Sequence, residues 1–160
     1  MAQDFIGNAK QQRQLEEQAA IEKSQQVGTE LQAAIAKRKE LFRSQMDVIE
    51  PLLEEMAANV KANGGDSSTK DSAAMFNGIL QFYGRDLRFQ IPNATNKGGP
   101  LPWYIVRVSP TSAGAQVEVL KHPHNTHQVS VFVPSAIVPA DAQLSAGIAA
   151  IFTEALKRII

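Results

Sequence analysis

The chain contains no cysteine in its 160 residues. Disulfides, thiol catalysis and cysteine-ligated zinc are thereby excluded. Long hydrophobic runs are also missing: none approaches the roughly 20 residues that a helix needs to span a bilayer. The opening Met1-Ala2-Gln3-Asp4-Phe5-Ile6-Gly7 lacks the basic and apolar regions of a secretory signal. From these absences we expect a soluble, cytoplasmic protein with no membrane partner. No surplus of charge exists, since Lys+Arg and Asp+Glu number 16 each. Residues 1–63 hold 8 basic and 10 acidic side chains, and residues 64–160 hold 8 and 6, which return those totals. Neither portion is basic enough to draw in nucleic acid through a long-range field.

Catalytic signatures are equally scarce. The glycine pairs Gly64-Gly65 and Gly98-Gly99 match no phosphate-binding loop, and Lys97-Gly98-Gly99-Pro100 opens no helix that could hold a phosphate. The nucleophile-elbow, zinc-protease and calcium-loop patterns are absent. Scattered Ser, Asp and Arg residues leave an enzyme unsupported. We therefore expect a non-enzymatic protein with no cofactor.

What is present is helix. From Ala9 to Val60 the chain is rich in Ala, Gln, Glu, Lys and Leu, all strong helix formers. Apolar residues recur at Leu31, Ile35, Phe42, Met46, Ile49, Leu53, Met56 and Val60. From Phe42 the steps are heptad-like, and between Ile35 and Phe42 the repeat slips as a stutter does. Pro51 interrupts the best part of the stripe without breaking its phase. That predicts a kink near Asp47–Glu50 rather than a fresh helix starting at Pro51. Before Leu31 the stripe thins to Leu15 and Ile21.

Ala62–Lys70, with Gly64, Gly65, Asp66 and Ser67, reads as a loop. It divides a helical, coiled-coil arm (1–63) from a small α+β domain (64–160). Residues 73–83 suit a helix or a hairpin. Gly78 and the aromatics favour the hairpin, with strands Phe76–Phe82 and Leu87–Ile91 around Tyr83–Asp86. Pro92–Pro100 is a polar loop. Strands follow at Trp103–Val108, Ala115–Leu120 and Val129–Val133, close enough for an antiparallel meander. An amphipathic C-terminal helix, capped by Asp141, carries Leu144, Ile148, Ile151, Phe152, Ala155 and Ile159 on one face. The expected fold is α+β: a long N-terminal helix kinked near Pro51, a four- to five-stranded antiparallel sheet, and a C-terminal helix.

Three features bear on function. The stripe is longer than a small sheet can cover: thirty helical residues span about 45 Å, against about 20 Å for a six-residue strand. It therefore predicts a homodimer whose interface is Leu31, Ile35, Phe42, Met46, Ile49, Leu53 and Met56. The histidines cluster at His122, His124 and His127, and three imidazoles so close offer a metal site. Without a carboxylate in that segment to orient them, a polar hairpin loop is the plainer reading. Trp103, Tyr104, Phe82, Tyr83 and Phe89 suit core packing, or else an aromatic pocket. The basic cluster Lys37-Arg38-Lys39 with Arg43 reads as a solvated helix face. The expected function is an adaptor or chaperone-like protein that self-associates and presents its α+β domain to a protein partner. The alternative is a small-ligand or metal-binding domain.

Overall fold

A computed structural model of the chain describes residues 3–92, 100–123 and 127–160. Helices α1 (Phe5–Leu41) and α2 (Arg43–Ala62) precede strands β1 (Asp66–Phe76), β2 (Ile79–Gln90), β3 (Trp103–Thr111), β4 (Gly114–His122) and β5 (Ser130–Val138), and α3 (Leu144–Ile159) closes the order. The strands form one antiparallel sheet in the order β1-β2-β3-β4-β5. The fold is α+β with a five-stranded meander between helices.

The helical region divides at Phe42, whose φ of −111° and ψ of 34° leave the helical range. This is where the apolar repeat slips. Pro51 lies inside α2, so no helix starts there. The stripe keeps its phase across it, and Ile49 and Leu53 on either side are fully buried.

β1 and β2 form a hairpin, but not the expected one: Ile79–Phe82 and Leu87–Gln90, expected on its two separate strands, are both parts of β2, and β1 is their partner. Asn77 (φ 51°) and Gly78 (φ 74°) take the paired left-handed conformations of a type I′ turn. Tyr83–Asp86 lies within β2. Gly84 is there for closeness rather than for turning: a Cβ at that position would stand 2.9 Å from Ser109 Oγ on β3. The loop expected over Ala62–Lys70 shrinks likewise. Gly64 takes a φ of 85° and Gly65 N–H donates to Val60 O at 3.0 Å. From Asp66 the chain is already strand. Its polar residues belong there because they bond back to α2: Ser67 Oγ donates to Ala57 O at 2.6 Å, and Thr69 Oγ1 to Glu54.

One sheet face is covered by helices. Leu87, Phe89, Tyr104, Val106, Val108, Val117 and Val119 meet Met46, Ile49, Leu53, Met56 and Val60 of α2 and Leu144, Ile148, Phe152, Ala155 and Ile159 of α3 in one buried cluster. Phe89 stacks on Tyr104 at 5.6 Å and meets the edge of Phe152 at 5.5 Å. This cluster straddles the boundary expected at 63/64, so α2 belongs with the sheet. Asp141 sits before α3 rather than at its cap. Its carboxylate accepts from Gln143 N at 2.8 Å, and the helix begins at Leu144.

α1, with 37 residues, is about 55 Å long. Every residue from Asn8 to Glu30 is exposed, and packing begins only at Leu31. The part that extends past the sheet is thus the polar N-terminal stretch and not the apolar stripe.

Candidate interaction surfaces

The residues expected at a dimer seam face the chain's own sheet. Ile49 and Leu53 are 0% exposed, and Ile35, Met46 and Met56 are at most 6% exposed. Leu31 and Phe42 pack at the margin of the same cluster. As a seam between copies this set is corrected: its side chains are core. The three-residue turn Asn63–Gly65 folds α2 straight back onto β1, so the stripe finds its cover within the chain.

Where α1 meets the sheet, a polar clamp joins four elements. Lys39 Nζ lies 3.1 Å from Asp71 Oδ2 and 3.2 Å from Glu50 Oε1. Tyr83 donates its phenol proton to Asp71 Oδ1 at 2.9 Å, and Arg85 Nη1 donates to the same oxygen at 3.2 Å. Arg85 Nη2 reaches Thr69 Oγ1 at 3.1 Å and Glu54 Oε1 at 3.5 Å. Burial pushes the Asp71 carboxyl up, but the hydrogen bonds from Lys39 and Tyr83 and the Lys39 charge outweigh it, so its pKa falls below the ordinary value. Burial, followed by the hydrogen bond to Asp71, pushes the Tyr83 phenol far up. Tyr83 therefore stays a donor at physiological pH. The clamp fixes the base of α1 to β1, β2 and α2.

On the opposite sheet face no described helix packs. Arg107 forms a two-toothed ion pair with Asp86, through Nε at 2.9 Å and Nη2 at 3.0 Å. Asp86 is 1% exposed, so the pair supplies the hydrogen bonds that a buried carboxylate requires. Arg107 also lies over the Phe82 ring at 5.1 Å, and Arg88 stacks on Trp103 at 4.1 Å. The five aromatics singled out in the sequence therefore do not converge on one pocket. Tyr83, Phe89 and Tyr104 are in the helix-covered core, while Phe82 and Trp103 each accompany an arginine on the other face.

Of the histidines, His122 ends β4 opposite Trp103 of β3, His127 is exposed, and His124 lies outside the described residues. Among the described residues no group of three or more His, Asp or Glu side chains is placed to hold a metal ion. The basic cluster is split by its surroundings. Lys39 joins the clamp, while Arg43 pairs with Glu40 at 3.7 Å on the exposed surface.

Sequence reasoning missed the clamp and the Asp86–Arg107 pair. Their signal was present as opposite charges inside strands that otherwise alternate: Arg85-Asp86, and Arg107 facing Glu118. Placing a turn at Tyr83–Asp86 hid it. In comparisons with known proteins, no protein-family model, curated protein or solved structure matches the chain.

Proposed function

We propose that this is a non-enzymatic interaction protein, which self-associates and offers a protein partner its projecting helix and its open sheet face. The observation that carries the reading is α1. From Asn8 to Glu30 it is exposed throughout, yet its base is clamped through Lys39 to Asp71 and Glu50. In proteins most of a helix's stability comes from packing of one face, which this stretch lacks. Besides the Asp4 cap, whose carboxylate accepts from Gly7 N–H at 3.0 Å, its support among the described residues comes from pairs one turn apart, such as Arg13–Glu17 at 3.1 Å, each worth about 0.2–0.5 kcal/mol. Phe5, Ile6, Leu15, Ile21 and Val27 are all more than half exposed along it. A rigidly based helix with isolated apolar side chains suits capture of a partner that covers them.

The test places a photo-crosslinking amino acid at Leu15, at Ile21 or at exposed Lys157 on α3, in cells that naturally make the protein. Leu15 and Ile21 should yield the same discrete crosslinked protein, and Lys157 should not. Equal labelling from all three positions would remove α1 as a docking element.

A further inference from the structure

The chain holds two Asn-Gly pairs, Asn63-Gly64 and Asn77-Gly78. A glycine after asparagine leaves its own backbone nitrogen unshielded, because it has no Cβ to stand between that nitrogen and the asparagine side chain. Attack of the nitrogen on the side-chain amide is then open wherever the fold permits it. The fold treats the two pairs differently.

Asn63-Gly64 is tied down. Asn63 Nδ2 donates to Asn59 O at 2.8 Å, which holds the side-chain amide against the end of α2. Gly64 N, the atom that would attack, donates to Lys61 O at 3.1 Å. Gly65 follows with no room to spare, since a Cβ there would stand 2.5 Å from Gln90 O. Bringing Gly64 N onto Asn63 Cγ means breaking these bonds and lifting the end of α2, whose Val60 is core.

Asn77-Gly78 is free. Both residues are exposed. Among the described residues neither the Asn77 side chain nor Gly78 N–H has a hydrogen-bond partner. No atom beyond its chain neighbours lies within 4 Å of where a Cβ on Gly78 would stand. β3 pairs with β2 only from Arg85 to Phe89, so the turn ends a two-stranded ribbon, Ser72–Phe76 with Ile79–Gly84, that β3 does not brace. The left-handed backbone of Asn77, at a φ of 51°, has to relax before attack. At the end of such a ribbon that opening is local and leaves the core in place.

We propose that Asn77 is a self-modification site, which converts through a cyclic imide to aspartate and isoaspartate while Asn63 is spared. Gly78 N gives up its proton to solvent base and attacks Asn77 Cγ. The new C–N bond closes a succinimide ring, and the side-chain nitrogen leaves as ammonia. Water then adds to one of the two ring carbonyls and breaks its bond to nitrogen. Opening at Cγ gives aspartate; opening at the main-chain carbonyl gives isoaspartate, with Cβ and Cγ now in the backbone. One water enters, one ammonia leaves, and nothing is oxidised or reduced. Either product sets a carboxylate between Phe76 and Ile79, in a stretch from Ser72 to Tyr83 that has no other charge. Isoaspartate also lengthens a two-residue turn whose geometry sets the register of both strands.

The test incubates the full chain at mildly alkaline pH, once in native buffer and once in concentrated urea, and follows both Asn-Gly peptides by mass spectrometry. A protease that cuts before aspartate but not before isoaspartate separates the two products. In urea both pairs sit in unfolded chain and should convert at similar rates. In native buffer Asn77 should convert at least about tenfold faster than Asn63, which is about 1.4 kcal/mol of additional opening cost at Asn63. Isoaspartate should be among the products at Asn77. A native chain in which Asn63 keeps pace with Asn77 would overturn the selection by the fold. An Asn77 that is stable in native buffer and converts only in urea would overturn the site itself. Aspartate without isoaspartate would mean direct hydrolysis of the side chain and would remove the imide route.

Discussion

Asp71 receives Lys39, Tyr83 and Arg85 at one carboxylate, and its effect on stability is readable from pH. Its folded pKa lies below the ordinary 3.8. The contribution is therefore complete above the unfolded value and is lost as pH falls through the folded one. Asp71→Asn should cost roughly 2 kcal/mol at neutral pH, the worth of hydrogen bonds to a charged group. In urea unfolding, that gap should close progressively as the pH drops below about 4. A gap that stays constant down to pH 2 would sink the assignment. At this scale the sequence was legible where one side chain does one thing. Leu87, Phe89 and Ile91 alternate and are buried on one face. Asp71, Arg85 and Arg107 were not legible, because a charge in a strand acquires its meaning only from the strand beside it.

Among the elements, α1 divides into an anchored part from Leu31 onward and a free part before it. A chain beginning at Thr29 keeps Leu31, Ile35 and the clamp. It should lose helical circular dichroism in proportion to the residues removed, while its melting temperature moves by less than about 3 °C, since the deleted stretch covers no core. A large fall in melting temperature would mean that the exposed stretch packs on something. The long helix follows from its helix-forming composition, and the strands β3 and β4 and the C-terminal helix from their apolar patterns. β1 does not. Asp66-Ser67-Ser68-Thr69-Lys70 has the composition of a loop and is strand because α2 lies over it, with Ala57 and Glu54 accepting its hydroxyls. The Asn77-Gly78 pair was a local turn signal in its own right, obscured by the aromatic residues around it.

Across the whole molecule, one core takes residues from Ile35 to Ile159. Ile49→Glu, which a seam between copies would register as a change of mass, should instead unfold the chain. A charge at a fully buried site with no partner costs upward of about 4 kcal/mol, a large part of a domain's total. Thermal melting decides the matter: a variant that melts with the native chain would return Ile49 to the surface. The α+β layout could be read from the order of patterns. The way the first helical region closes onto the sheet could not, because spacing shows that an apolar stripe needs cover but not which surface supplies it.

That closure has a temporal side. α2 is made before every strand it packs against, and α3, which completes the core through Leu144, Ile148, Phe152, Ala155 and Ile159, is made last. At about 5–20 residues per second, roughly ten seconds separate synthesis of Val60 from that of Ile159. Until β1 and β2 follow, Met46, Ile49, Leu53 and Met56 form an uncovered apolar helix face, and the side of α2 that meets α3 stays open until α3 is made. The nascent chain is thus most in need of a protective chaperone at its beginning, and its meander, in which every strand pairs with a sequence neighbour, assembles quickly once the strands exist.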